Sequence, residues 1–287
     1  MIRAFTEEDR RYLEENFSFS LLETQYHGDV IKDQMYTSTA EDGSINGIIY
    51  FKYHFSWYGE NEEYHRITPV VCTEDETCEL ELMAYAQKWL GEQGERCTGK
   101  RAALALWVES DHLQKLQRLM RLGFLEASVC PCCAYDFDRM PLPVYPVPAG
   151  MHVEELPFNT ESVNRFVEMT RISNEGTPDS INEMWFMTGE PTYKVFVLMD
   201  GNHIVSSASM WRIAEHHAAI ENIVTSTDYR RQGYGRVIIA YTLGKIKEEG
   251  YSIATLSMRG MNKRAHFLYQ SLGFELLFNQ IELLYLK

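Results

Sequence analysis

The sequence predicts a mixed α/β fold laid out twice along one chain. Three observations predict it. Four of the nine prolines fall within Asp138–Gly150, a density that blocks helix and sheet pairing alike and reads as an extended linker. On both sides of that segment, strand-like and helix-like runs alternate in the same order. Leu122-Gly123-Phe124 and Leu272-Gly273-Phe274 each follow a helical run at equivalent positions of the two halves. The expected division is a first domain over 1–137, a linker over 138–150 and a second domain over 151–287.

In the first half, a short strand is expected at Ile2–Phe5, followed by helical stretches to about Tyr26. Gln34–Thr39 and Ile48–Trp57 read as strands around the turn Glu41-Asp42-Gly43. His65–Cys72 is a further strand, Cys78–Gly91 a helix, Ala102–Val108 an apolar strand and Asp111–Leu122 a helix, before two short strands. The second half follows suit. A strand lies near His152–Glu155, with helices near Thr160–Ile172 and Ser180–Phe186. Strands at Tyr193–Met199 and His203–Trp211 flank Asp200-Gly201-Asn202. Then come a strand at Ala218–Thr225, a helix at Gly233–Glu249, a strand at Ser252–Met258, a helix at Asn262–Ser271 and two last strands ending at Tyr285.

Charge narrows the partners. The net charge is −14, and residues 1–143 hold 25 acidic against 14 basic side chains. A nucleic-acid backbone would be repelled by most of this surface, whereas a small cation would be attracted. A polyanion, if bound at all, belongs to the second half. The N-terminus is charged within ten residues, unlike a signal peptide, and no apolar run reaches the ~20 residues of a membrane span. The expected location is the cytoplasm, without membrane attachment. The six cysteines read as free thiols. Cys130-x-Cys132-Cys133 lacks further ligands at usable spacing, so no metal is expected.

The most informative stretch is Ile223 to Ile239. A strand gives way to a basic loop with two glycines, and a helix follows. Glycine lets the backbone approach a ligand closely, the N–H groups of a helix start are unpaired, and Arg230, Arg231 and Arg236 add charge-assisted contacts. These features suit a diphosphate. The spacing Arg230-x-x-Gly233-x-Gly235 is neither a Rossmann nor a Walker pattern. It resembles the pyrophosphate loop of the GNAT superfamily of acetyl-CoA-dependent N-acetyltransferases. A second landmark of that family stands downstream in Asn262-x-x-Ala265-x-x-Leu268-Tyr269-x-x-Leu272-Gly273-Phe274. The resemblance covers 151–287 by these motifs and the first half by element order alone, a tandem GNAT arrangement.

The resemblance implies acetyl-CoA as co-substrate. It places Arg230, Arg231, Gln232, Gly233, Tyr234, Gly235 and Arg236 around the pyrophosphate, and Asn262 on coenzyme A. Asn262 also suits an ordinary helix cap. Ile223, Val224 and Thr225 would pair their backbone with the pantetheine arm and supply an oxyanion donor. Tyr269 would be the general acid near the sulfur, unless it is a core tyrosine. An amine acceptor must lose a proton before it attacks a thioester. Glu221 is the candidate base, directly or through water, on a strand whose alternation puts residues 219, 221, 223 and 225 on one face; a solvated strand glutamate would read the same. His216 and His217 are the other candidates. The family caps its acceptor site with the segment Arg171–Trp185, where Glu175, Asp179 and Glu183 could hold a cationic amine and Trp185 could wall it.

At the place matching the phosphate loop the first half reads Thr73-Glu-Asp-Glu-Thr-Cys-Glu-Leu-Glu-Leu82, acidic and without glycine. Leu119 stands at the position of Tyr269. The expectation is a first domain without a cofactor site and a second that acetylates a primary amine of a small cationic molecule. A protein N-terminus or lysine, and a non-catalytic acyl-CoA sensor, are the alternatives.

Overall fold

The computed structural model describes residues 1–16, 30–53, 64–94, 96, 101–173, 189–258, 260 and 262–286. The chain forms two compact units, Met1–Val129 with Gln280–Lys287, and Cys130–Asn279. The mixed α/β fold expected from the sequence is the one observed.

The first unit contains β1 (Ile2–Ala4), α1 (Glu7–Asn16), β2 (Val30–Thr39), β3 (Ile45–Tyr53), β4 (His65–Cys72), α2 (Glu76–Trp89), a π-helical turn at Leu90–Gly94, β5 (Ala102–Glu109) and α3 (Leu113–Arg121). Its strands stand in chain order from β1 to β5, and β5 pairs with the end of the last strand, β12 (Glu275–Leu286). All pairings are antiparallel except β4 with β5, which α2 makes possible as the crossover. The core gathers Leu82, Leu104, Ile67 and Leu283 around Trp89, whose ring stacks on Phe51 at 3.8 Å between centroids.

The second unit takes the end of β6 (Leu125–Asp136), then β7 (Met151–Glu155), α4 (Thr160–Ser173), β8 (Lys194–Asp200), β9 (His203–Ala214), β10 (His217–Thr225), α5 (Tyr234–Glu248), β11 (Ile253–Ser257) and α6 (Lys263–Ser271). Its sheet runs β6-β11-β10-β9-β8-β7, with β10 and β11 parallel. Helix α5 lays Ile238, Leu243 and Ile246 on the face formed by Phe196, Leu198, Ala208, Met210 and Ile220. Tyr135, Tyr269 and Phe274 close one end of that core.

Two sequence expectations are corrected. The pairs of short strands expected at the end of each half are single strands, β6 and β12. Pro131 does not break β6, because what its neighbour needs is a carbonyl, and Met258 N–H donates to it at 3.1 Å. The two strands show the same burial: exposed at 125–127 and 275–277, buried at 132–133 and 282–283. The compact units also differ from the expected 1–137 and 151–287. Residues 130–137 belong to the second, and 280–287 to the first. The proline-rich segment is extended but not loose. Tyr135 Oη donates to Pro141 O at 2.6 Å, and Met140 and Leu142 pack on the second core.

Candidate active site

The site is built around a notch in the second sheet. The parallel ladder of β10 with β11 starts at His217↔Ile253 and ends at Ala219↔Thr255. On its other edge β10 stays paired with β9 as far as Thr225↔Ser206. Between residue 220 and residue 225, then, β10 has no ladder partner on the β11 side among the described residues. An extended ligand can add to such an edge by main-chain hydrogen bonds.

Inside the notch β10 carries a bulge. Glu221 is opposite Ser209 and Val224 is opposite Ser207, so one extra residue sits on β10. The extra backbone turn is taken by Asn222 at φ 49°, a conformation asparagine tolerates better than most side chains. This corrects the simple alternation of residues 219 to 225. Glu221 and Val224 share a face with Ser207 and Ser209. Thr225, opposite Ser206, lies on the other, where its Oγ1 approaches Gly235. Ile223 packs partly against the α5-side core.

The loop after β10 has the electronic character of an anion cradle. Arg231 at φ 65° and Gly233 at φ 88° turn the chain into α5. Arg236 N–H and Val237 N–H both bond back to Gly233 O. The N–H groups of residues 231–235 have no acceptor among the described residues. A Cβ on Gly235 would meet Leu268 and Thr225 only at ordinary distances of 3.5 and 3.6 Å. Protein packing does not demand glycine there, and the bare backbone leaves room for a ligand above the helix start. Arg230 and Arg231 are exposed, and Arg230 Nε donates to Thr225 O at 3.3 Å. Arg236 reaches Ser271 Oγ of α6 at 3.4 Å. Gln232 and Tyr234 bond to each other through Oε1 and Oη.

Tyr269 is buried beside Phe274. Its hydroxyl pKa is raised well above the ordinary value by burial, with a smaller contribution from Cys133. It therefore keeps its proton at neutral pH and is suited to donate to a sulfur rather than to act as a base. Asn262 caps α6, its Oδ1 accepting from Ala265 N at 3.1 Å. Glu221 is raised above the usual carboxylate range by burial, and the influence of the Trp211 side chain pulls the other way. The Ser209 hydroxyl opposite it is buried and has no hydrogen-bond partner among the described residues. His217 is bound at the paired end of β10 by Thr255, its Nε2 2.8 Å from Oγ1, and burial lowers its pKa. His216 is exposed. Glu175, Asp179, Glu183 and Trp185 lie outside the described residues.

Sequence reasoning missed Trp211, the serines of β9 and the bulge. A strand-poor asparagine in the middle of a strand was the one available signal for the last of these.

The first unit arranges the equivalent helix start differently. Asp75 caps α2, its Oδ1 accepting from Thr77 N at 2.7 Å and Cys78 N at 3.0 Å. The groups that stand open at 231–235 in the second unit are there held by a carboxylate, which would also repel a phosphate. Leu119, at the place of Tyr269, is a buried core residue.

Comparisons with known proteins agree with this geometry. A model of the acetyltransferase (GNAT) family matches residues 162–274. The ribosomal protein bS18-alanine N-acetyltransferase of Escherichia coli (strain K12) is 30% identical over 73 residues, which cover 25% of this chain and 49% of that protein. The chain thus spans about half the length of the curated relatives it matches. A GCN5-related N-acetyltransferase from Sphaerobacter thermophilus superposes with a TM-score of 0.71 at 12% identity, covering 100% of this chain and 95% of that one. A tandem GNAT protein from the clavulanic acid biosynthesis pathway does so with 0.72 at 11%, covering 100% and 98%. These structural likenesses show the fold. The notch and the open helix start both fall within residues 162–274, the stretch of this chain that matches the acetyltransferase (GNAT) family model.

Proposed function

We propose that this protein transfers the acetyl group of acetyl-CoA to an amine, by direct attack of the nitrogen on the thioester. The observation that carries the reading is the run of N–H groups at 231–235 without acceptors among the described residues, next to a strand edge that lacks a described ladder partner from residue 220 onward. The loop would hold the pyrophosphate through Arg230, Arg231, Gly233, Gly235 and Arg236. The 223–225 edge would align the pantetheine arm and offer a backbone donor to the carbonyl oxygen. The nitrogen bonds to the acyl carbon, the C–S bond breaks, and the sulfur leaves with its electron pair. Glu221 takes the proton released by the nitrogen; its raised pKa makes it a stronger base than an exposed carboxylate. Tyr269 donates to the departing sulfur. The thiol is a stronger acid than this tyrosine, so a hydrogen bond, not complete proton transfer, is the favoured contribution.

The acceptor is read as a primary amine on a small cationic molecule, because the chain carries a net charge of −14. A second reading, an amine at a protein N-terminus, is favoured by the relatives whose name specifies an alanine N-acetyltransferase. Calorimetric titration with acetyl-CoA, followed by thiol release over a panel of polyamines, aminoglycosides and alanine-initiated peptides, tests both. One site per chain and thiol release on one class of amine are expected. Binding without release on any acceptor would point to a sensor, and no binding would sink the proposal.

Two variants test the roles. Tyr269→Phe removes a hydroxyl that has no partner among the described residues, so stability and acetyl-CoA affinity should hold while kcat drops about 10- to 100-fold. Glu221→Gln should lower kcat about 10²- to 10⁴-fold. The raised folded pKa of Glu221 also predicts a stability signature. Its contribution is fully present below the unfolded carboxylate value and is lost as pH rises through the folded value. Melting scans should find Glu221→Gln gaining on wild type as pH rises across that window. A gap that stays constant with pH would contradict the buried setting of this carboxyl.

A further inference from the structure

The bulge in β10 breaks the regular β9–β10 register between Glu221 and Val224. Two adjacent serines of β9 donate to backbone carbonyls at that break. Ser207 Oγ donates to Asn222 O at 3.0 Å, and Ser206 Oγ donates to Val224 O at 2.9 Å. With its single proton so used, Ser206 Oγ accepts from Thr225 Oγ1, also at 2.9 Å. Both serines are fully buried. As strand neighbours they point to opposite faces of the sheet, so the bulge is held from both sides. This matters because, among the described residues, the other edge of β10 has no ladder partner in the same stretch. The shape of 222–225 is therefore supported by β9, by these two hydroxyls, by Asn222 Nδ2 donating to Tyr193 Oη at 3.4 Å and by Arg230 Nε at Thr225 O.

We propose that Ser206 and Ser207 are positioning residues for acetyl-CoA: by fixing the β10 bulge they set the direction in which the 223–225 edge meets the thioester-bearing arm. The inference rests on the acetyl-CoA reading above. Alanine or valine would fill either position in a strand at least as well, but would remove a buried hydrogen bond to a carbonyl of the bulge. Nothing in a plain core strand calls for two neighbouring buried hydroxyls bonded to carbonyls on either side of one bulge.

The test separates the two ends of the ligand. The full chain is titrated by calorimetry with acetyl-CoA and with 3′-phospho-ADP, which has the phosphates but no pantetheine arm. Ser207→Ala should weaken acetyl-CoA about tenfold and leave 3′-phospho-ADP within about twofold of wild type. Asn222→Gly added to Ser207→Ala should recover part of the loss, since glycine takes φ 49° without strain. Ser206→Ala carries the same expectation and serves if Ser207→Ala does not fold, with circular dichroism checking each variant. Folded variants that bind acetyl-CoA like wild type overturn the proposal, as does an equal loss for both ligands. Wild type that binds neither ligand fails the acetyl-CoA reading itself, and is told apart because the failure precedes any substitution.

Discussion

Gly233→Asp abolishes acetyl-CoA binding while the protein stays folded. The substitution places a carboxylate among the open N–H groups of residues 231–235. The first unit already shows the outcome: at its own helix start, Asp75 takes two such N–H groups at 2.7 and 3.0 Å. Two costs fall on the second unit. A side chain at φ 88° is strained by about 1–2 kcal/mol, less for aspartate than for most residues. The fixed negative charge then meets the pyrophosphate at close range, after Arg230, Arg231 and Arg236 have been partly neutralised. A loss of 100-fold or more in affinity is expected, about 2.8 kcal/mol by the usual conversion. The fold should survive, because a Cβ at residue 233 meets nothing within 4 Å. Calorimetry gives the affinity, and a short acetyl thioester without the nucleotide serves as control. If Gly233→Asp bound acetyl-CoA within about threefold of wild type, the loop would not be the phosphate site.

The contrast between the two helix starts also explains what could be read without the structure. The phosphate loop was legible because its chemistry is local: two glycines, three arginines and a helix start lie within seven residues, and no distant contact alters them. The acidic counterpart at 73–82 was legible for the same reason. The bulge was not, because a bulge is a mismatch between two strands, and neither strand states its register alone. Period-two reasoning placed Glu221 and Thr225 on one face, and the extra residue Asn222 put them on opposite ones. The placement of the final strands was also illegible. Leu125–Asp136 and Glu275–Leu286 both read as strands, but which sheet a strand joins depends on partners far away in the chain. Trp211 escaped notice because an indole in a strand reads first as core.

Those final strands carry the second large expectation. Residues 130–279 should fold alone and bind acetyl-CoA, whereas 151–287, the division the linker invites, should not fold. Cutting at the linker removes the 132–136 segment that pairs with β11 from Ile253↔Asp136 to Ser257↔Cys132. Cys133, Tyr135 and Phe137 leave the core with it; all three are buried, and Tyr135 packs against Phe274. Loss of a single buried aromatic side chain costs about 3–5 kcal/mol. Two of them, with the ladder, match the whole stability of an ordinary domain, about 5–15 kcal/mol. Cutting at 151 also exposes the edge of β11, an open template for aggregation. The shorter piece further retains 280–286, whose partner is β5 of the first unit, and so carries an apolar strand with nothing to pair. The fragment 130–279 keeps residues 130–136 of β6, the linker and the loop, and loses only strand residues that the second unit does not use. Far-UV and near-UV circular dichroism of the two fragments, with acetyl-CoA calorimetry on whichever is folded, decides the matter. A cooperative melt for 151–287 would mean that the unit tolerates loss of its β6 strand. An unfolded 130–279 would mean that the cofactor domain needs the first unit to exist at all.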